Sequence, residues 1–157
     1  IAGLHKLKYL KVRGTLVGST AMNALANMTA LKRLDLSETQ VGDAGLADLS
    51  KLTSIQDLNL WATQVTDAGL SHLTSLTNLT ILNLDQTHVG DEGLIQIGKL
   101  STLKNLILRS TQITDDGIEH LSTLTNLEDL NVEFCTSLGD TGKMRIQEKL
   151  PKVVLTQ

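Results

Sequence analysis

The 24 residues at 31–54, LKRLDLSETQVGDAGLADLSKLTS, recur three more times without a gap. The copies occupy 55–78 (IQDLNLWATQVTDAGLSHLTSLTN), 79–102 (LTILNLDQTHVGDEGLIQIGKLST) and 103–126 (LKNLILRSTQITDDGIEHLSTLTN). A fixed period of this size means a stack of like units, each burying its apolar side against the next, so the chain is expected to form a solenoid. A looser copy at 7–30 precedes them in the same register, and a divergent sixth begins at 127. The sixth carries one extra residue before Leu138 and has Lys143 where a leucine is expected. Ile1, Leu4 and Leu7 repeat the spacing of Leu25, Met28 and Leu31, so residues 1–6 read as the tail of a further unit. The expected organisation is a single domain over 1–157, with repeats starting at 7, 31, 55, 79, 103 and 127 and a closing segment at 150–157. From this opening in mid-repeat the chain is expected to be an excerpt of a longer protein. It also begins without Met, so the lack of a leader-like segment carries no weight.

Within each copy the apolar period changes. The opening L-x-x-L-x-L puts leucines at alternate positions, the spacing of a strand with one buried face. Farther on, Leu70, Leu73 and Leu76 fall three apart, as on a helical stripe. Between the two, Ser19, Asp43, Asp67, Asp91, Asp115 and Asp140 hold one position in six copies, which predicts helix N-caps. The Gly two residues later (Gly45, Gly69, Gly93, Gly117 and Gly142, with Ala21 in the first copy) predicts close packing rather than a phosphate loop, because the spacing fits no nucleotide fingerprint. A helix after every strand forces parallel pairing. Strands pack about 4.8 Å apart and helices roughly 8–10 Å, so the stack bends with strands inside and helices outside. The fold class is thus α/β, a right-handed βα solenoid with a concave parallel sheet and convex helices. Val153–Leu155, entered through Pro151, is the expected closing strand.

L-x-x-L-x-L-x-x-T-x-V-[TG]-D-x-G-L-x-x-L-x-x-L resembles the leucine-rich repeat family along nearly the whole chain. The V-T-D-A-G-L portion is similar to its cysteine-containing subclass, which places Cys where this chain has Thr15, Thr39, Thr63, Thr87 and Thr111. Only the sixth copy, with Cys135 followed by Leu138, keeps the subclass pattern. The resemblance implies a ladder residue hydrogen-bonded to backbone at the bend after the strand, a task open to a threonine hydroxyl. It also implies a scaffold for binding partners rather than an enzyme.

In such a solenoid the side chains between the strand leucines face the concave surface. One row is Tyr9, Arg33, Asp57, Ile81, Asn105 and Asp129. A second is Lys11, Asp35, Asn59, Asn83, Ile107 and Asn131. The third is Arg13, Ser37, Trp61, Asp85, Arg109 and Glu133, and beyond it lie Gly14, Glu38, Ala62, Gln86, Ser110 and Phe134. The chain has one Trp, one Tyr and one Phe, and all three fall in these rows. Exposed aromatics mark interface centres, so Trp61, with Ile81 and Ile107 beside it, is expected to anchor a protein or peptide partner. The remaining expected contacts come from Tyr9, Lys11, Arg13, Arg33, Asp57, Asn59, Asn83, Asp85, Asn105, Arg109, Asn131, Glu133 and Phe134. Lys8, Lys11, Arg13, Lys32 and Arg33 crowd the first strands while Glu128, Asp129 and Glu133 stand on the sixth, a polarity able to orient that partner. Gln40, Gln64, Gln112 and His88 form a series just past the threonines and read as solvent-facing spacers.

The alternative functions are weaker. A substrate-recognition part of a larger ubiquitin-ligase-type or bacterial effector protein would use the same surface. Asp35 and Asp57, about 8 Å apart on neighbouring strands, suit the carboxylate spacing of an inverting glycosidase, but an open sheet is expected to give them no pocket. A net charge of −3 speaks against nucleic acid as a partner, despite the basic first strands. No cofactor or metal is expected: His72 and His120 are equivalent positions two helices apart, beyond the span of one ion. No apolar run is long enough to cross a bilayer, and a monomer is expected. A single cysteine, Cys135, excludes an intramolecular disulfide and suits a reducing compartment.

Overall fold

A computed structural model describes residues 4–157; the expectation for Ile1 lies outside them. Seven three-residue strands form one parallel sheet in chain order: β1 (Tyr9–Lys11), β2 (Arg33–Asp35), β3 (Asp57–Asn59), β4 (Ile81–Asn83), β5 (Asn105–Ile107), β6 (Asp129–Asn131) and β7 (Val154–Thr156). Among β1 to β6 each residue pairs with the one 24 positions on, so the sequence period is the sheet register. The closing strand lies one residue beyond its expected place, because Asp129 pairs with Val154.

The outer layer is less regular than the inner one. Three repeats carry α2 (Asp43–Leu49), α4 (Asp91–Ile97) and α5 (Asp140–Lys149). The others mix α1 (Met22–Leu25) and α3 (Asp67–Leu70) with 3-10 turns, and in the fifth Gly117–Thr123 is wholly 3-10. A tighter 3-10 winding still places every third side chain on the core side. That is why Ile118, Leu121 and Leu124 stay buried without an α-helix. In the second repeat seven apolar side chains are fully or almost fully buried: Leu31, Leu34, Leu36, Val41, Leu46, Leu49 and Leu52. The next three repeats bury the same seven positions, giving one continuous aliphatic core. In the sixth, Lys143 takes a half-buried place and Ile146 supplies the buried contact one turn on.

The acidic row does something other than cap its own helices. Asp43, Asp67, Asp91 and Asp140 are the first helical residues, and the N-caps are Gly42, Thr66, Gly90 and Gly139. Of these, Thr66 caps with its side chain, Oγ1 accepting from the Ala68 N–H at 3.3 Å. The carboxylates of Asp43, Asp67, Asp91 and Asp115 reach forward into the following repeat. Asp43 accepts from the Thr66 N–H (2.9 Å) and hydroxyl (2.7 Å), and Asp91 likewise from Thr114 (2.8 and 2.7 Å). Asp67 accepts from the Gly90 N–H (2.7 Å) and Asp115 from that of Gly139 (2.6 Å). Ser19 does the same for Gly42 at 3.0 Å. Each is an inter-repeat clip, correcting the N-cap expectation.

The glycine of the next repeat, two residues past that repeat's own aspartate, follows from the clip. A Cβ on Gly93 would stand 2.5 Å from Asp67 Oδ1, and one on Gly142 2.5 Å from Asp115 Oδ1. On Gly69 and Gly117 it would collide with Asp43 and Asp91. Gly45, which faces Ser19 instead of an aspartate, has no contact nearer than 3.0 Å.

Candidate docking surface

The register builds the surface row by row. The first two rows are the paired residues of β1 to β6, with Leu10, Leu34, Leu58, Leu82, Leu106 and Leu130 turned the other way, into the core. The third row is aligned by backbone bonds just past the strands. Glu38 N–H donates to Trp61 O, Ala62 N–H to Asp85 O, Gln86 N–H to Arg109 O and Ser110 N–H to Glu133 O, all at 2.8–3.0 Å. The candidate residues chosen from sequence therefore share one face.

Several of them also serve the fold. Asn59 Oδ1 accepts from the Trp61 N–H, Asn83 Oδ1 from the Asp85 N–H and Asn131 Oδ1 from the Glu133 N–H, at 2.9–3.0 Å. These turns fix where the third row leaves the sheet. Below them the ladder behaves as the resemblance implied. Thr15, Thr39, Thr63, Thr87 and Thr111 donate to the carbonyl three residues back at 2.6–2.7 Å. Cys135 instead donates to Leu108 O of the preceding repeat, at 3.0 Å. Gln40, Gln64, His88 and Gln112 are exposed, as spacers would be.

Electrostatics on this face are largely settled between neighbours. Lys11 pairs with Asp35 (3.5 Å), Arg33 with Asp57 (3.8 Å), Arg13 with Glu38 (2.7 Å) and Lys104 with Glu128 (2.7 Å). The graded charge expected to steer a partner is thus partly neutralised within the sheet.

Two arginines lie on aromatic rings. The Arg13 guanidinium is 4.7 Å from the centre of the Trp61 ring two repeats away, spanning Ser37. Ser37, expected on the open surface, is fully buried. Arg109 is 4.7 Å from the Phe134 ring and within 3.4 Å of Asp85 and 4.0 Å of Glu133. Cation–π contacts of this kind are worth about 0.5–1 kcal/mol at exposed sites and favour one orientation of ring and cation. Trp61 is half-buried, Tyr9 and Phe134 are exposed, and Asp85, also expected to be open, is only 8% exposed.

Burial raises the Asp85 carboxyl above the usual carboxylate range against the pull of Arg109, and raises Asp57 against Arg33. Burial pushes Asp35 the same way, but hydrogen bonds from Ser37 and Lys11 outweigh it and leave it below that range. Contrary to expectation the Asp35–Asp57 pair does line a cleft, with Tyr9, Arg33, Leu34 and Asn59. At about 160 Å³ it is smaller than the roughly 300–1,000 Å³ of small-ligand pockets, and a cation engages each carboxylate. Among the described residues no three or more His, Cys, Asp or Glu gather as a metal site, and no helix is long and apolar enough to cross a membrane.

Stacked strand-and-turn units of this register, with buried leucines and a hydroxyl ladder, define a leucine-rich-repeat solenoid. The Leucine Rich repeat family model matches residues 27–50, 75–98, 99–122 and 123–145, more than half of the chain. The chain belongs to the leucine-rich repeat family, whose members act as interaction modules rather than enzymes. It is similar to the crystal structure of internalin C2 from Listeria monocytogenes, with 32% sequence identity and a TM-score of 0.66. The match covers 85% of this chain and 55% of that one, so the chain spans little more than half the length of that structure. No curated protein matches the sequence significantly.

Proposed function

We propose that this chain is a recognition module that docks a protein or peptide partner on its concave sheet, centred on Trp61. One observation carries the reading: the only Trp of the chain stands half-exposed on that face, fixed by Arg13, between the polar side chains of adjacent repeats. An aromatic side chain already biased toward one orientation loses less freedom on binding, which suits an interface anchor. Ile81 and Ile107, half-buried on the two strands beyond, extend the apolar footing. Panning a displayed random-peptide library against the domain supplies a partner for the test. A bulky maleimide on Asn83→Cys should abolish retention of the selected peptides, and the same label on the exposed convex position Glu92→Cys should leave it unchanged. The native Cys135 is buried and will not compete for the label. Retention blocked only from the convex side would reject the reading.

The bacterial-effector version of a larger protein is favoured over a ubiquitin-ligase version by the 32% identity to a bacterial internalin. Reading the gene upstream of Ile1 tests it, and a capping repeat directly after an initiator Met would end it. Membership of the cysteine-containing subclass rests on Cys135 holding the ladder position. Thr87→Cys should then cost clearly less stability than Thr87→Val, and equal losses in denaturant melts would count against it.

A further inference from the structure

We propose that the middle of the third row seats a glutamine or asparagine side chain of the partner, its carboxamide bridging the Trp61 indole N–H and Asp85 Oδ1. This rests on the concave-face reading above. Among the described residues three buried side-chain polar atoms have no hydrogen-bond partner: Trp61 Nε1, Asp85 Oδ1 and Arg109 Nε. All three belong to one row on three consecutive repeats, with strands about 4.8 Å apart. Buried donors and acceptors are almost always matched, so three orphans side by side point to a group from outside the chain. Asp85 itself is more than nine-tenths buried.

The surrounding charges select the chemistry. An anion would accept from Trp61 and Arg109 but would meet Asp85 and Glu133. A cation would satisfy Asp85 but would meet Arg109, already 3.4 Å from that carboxylate, and would leave the indole N–H unmatched. A neutral carboxamide carries an acceptor and a donor side by side, and its two atoms reach across neighbouring strands better than one hydroxyl oxygen does. A side chain also enters where a main-chain amide, flanked by its own substituents, does not. Arg109, ion-paired to Asp85 yet 38% exposed, is the side chain that moves aside.

The single Trp gives one indole cross-peak in a ¹H–¹⁵N spectrum, a direct reporter of this seat. The probes are propionamide, propionate, propylguanidinium and 1-propanol, each titrated into the ¹⁵N-labelled protein. Propionamide alone should shift the indole peak saturably, and Asp85→Ala should remove that response. No shift with propionamide, or an equal shift with any other probe, overturns the proposal. The probe series needs no variant, so it decides even where Asp85→Ala folds poorly. Library peptides separate the two readings. Winners that require the concave face yet contain no Gln or Asn overturn the carboxamide seat and leave the docking surface standing. Winners blocked only from the convex side sink both.

Discussion

Five residues that are not glycine hold left-handed backbone at the bend after the strand: Glu38, Ala62, Gln86, Ser110 and Phe134, with φ of 52–59°. Only the first copy has the expected glycine there, Gly14 at φ 68°. Left-handed geometry costs an ordinary residue about 1–2 kcal/mol, and glycine returns part of that as unfolded-state entropy. Ala62→Gly should therefore raise stability by about 0.5–1 kcal/mol in denaturant melts. Asp85 makes a pH-dependent prediction. Its folded pKa lies above its unfolded one, so the folded state holds the proton more tightly and is disfavoured once the group ionises. Asp85→Asn should thus be more stable than wild type at neutral pH. The difference should shrink as pH falls from the raised folded value to the ordinary carboxylate value. A gap independent of pH in melts across that window would contradict it. At this scale the sequence was partly legible. The rows could be counted from the leucines, but neither the left-handed bend nor the burial of Asp85 was visible. Glycine marks that bend in one copy of six, and the charge paired with the buried Asp85 is Arg109, a residue 24 positions on. Glu38, which braces Arg13, was missed as part of the site; its only signal was an acid one position past the third row.

Among elements, the aspartate clip and the glycine facing it tie each outer segment to the next. Asp67 gives its carboxylate to the Gly90 N–H while Gly93 leaves room for that carboxylate. Gly93→Ala should cost about 1–3 kcal/mol by overpacking. Asp67→Ala should cost about 1–3 kcal/mol by leaving the Gly90 N–H unpartnered. Because both act on one contact, the double variant should lose clearly less than the sum, and strict additivity in melts would refute the clip. Sequence showed the Asp-x-Gly spacing in five copies and misassigned its acid. Asp at the first turn of a helix suits a cap and an inter-repeat acceptor equally, so residue type does not decide between them. The glycine was read correctly as a packing residue, since a Cβ there would run into the aspartate carboxylate of the preceding repeat.

At the scale of the molecule, a 24-residue period fixes the sheet order, the register and the face on which every candidate contact lies. These features need only the strand pattern and parallel pairing, which is why the inner sheet was readable from the sequence while the 3-10 segments of the outer layer and the one-residue shift of the closing strand were not. What the period leaves open is how long side chains share the surface. Arg13 reaches Trp61 across a whole repeat because Ser37 between them is small and buried. The same sharing pairs the basic first strands with acids of the next repeats, leaving less free charge than a count along the sequence suggests. Binding should therefore depend more on the fixed aromatic than on long-range attraction. Raising the salt from 0.05 to 0.5 M should weaken a selected peptide less than threefold, well below the loss expected from removing the ring. That loss is the direct test of concave docking, measured calorimetrically as the affinity of one selected partner for wild type and Trp61→Ala. The variant should bind more weakly by at least about 2 kcal/mol, a factor of roughly thirty, and equal affinities would place the partner elsewhere.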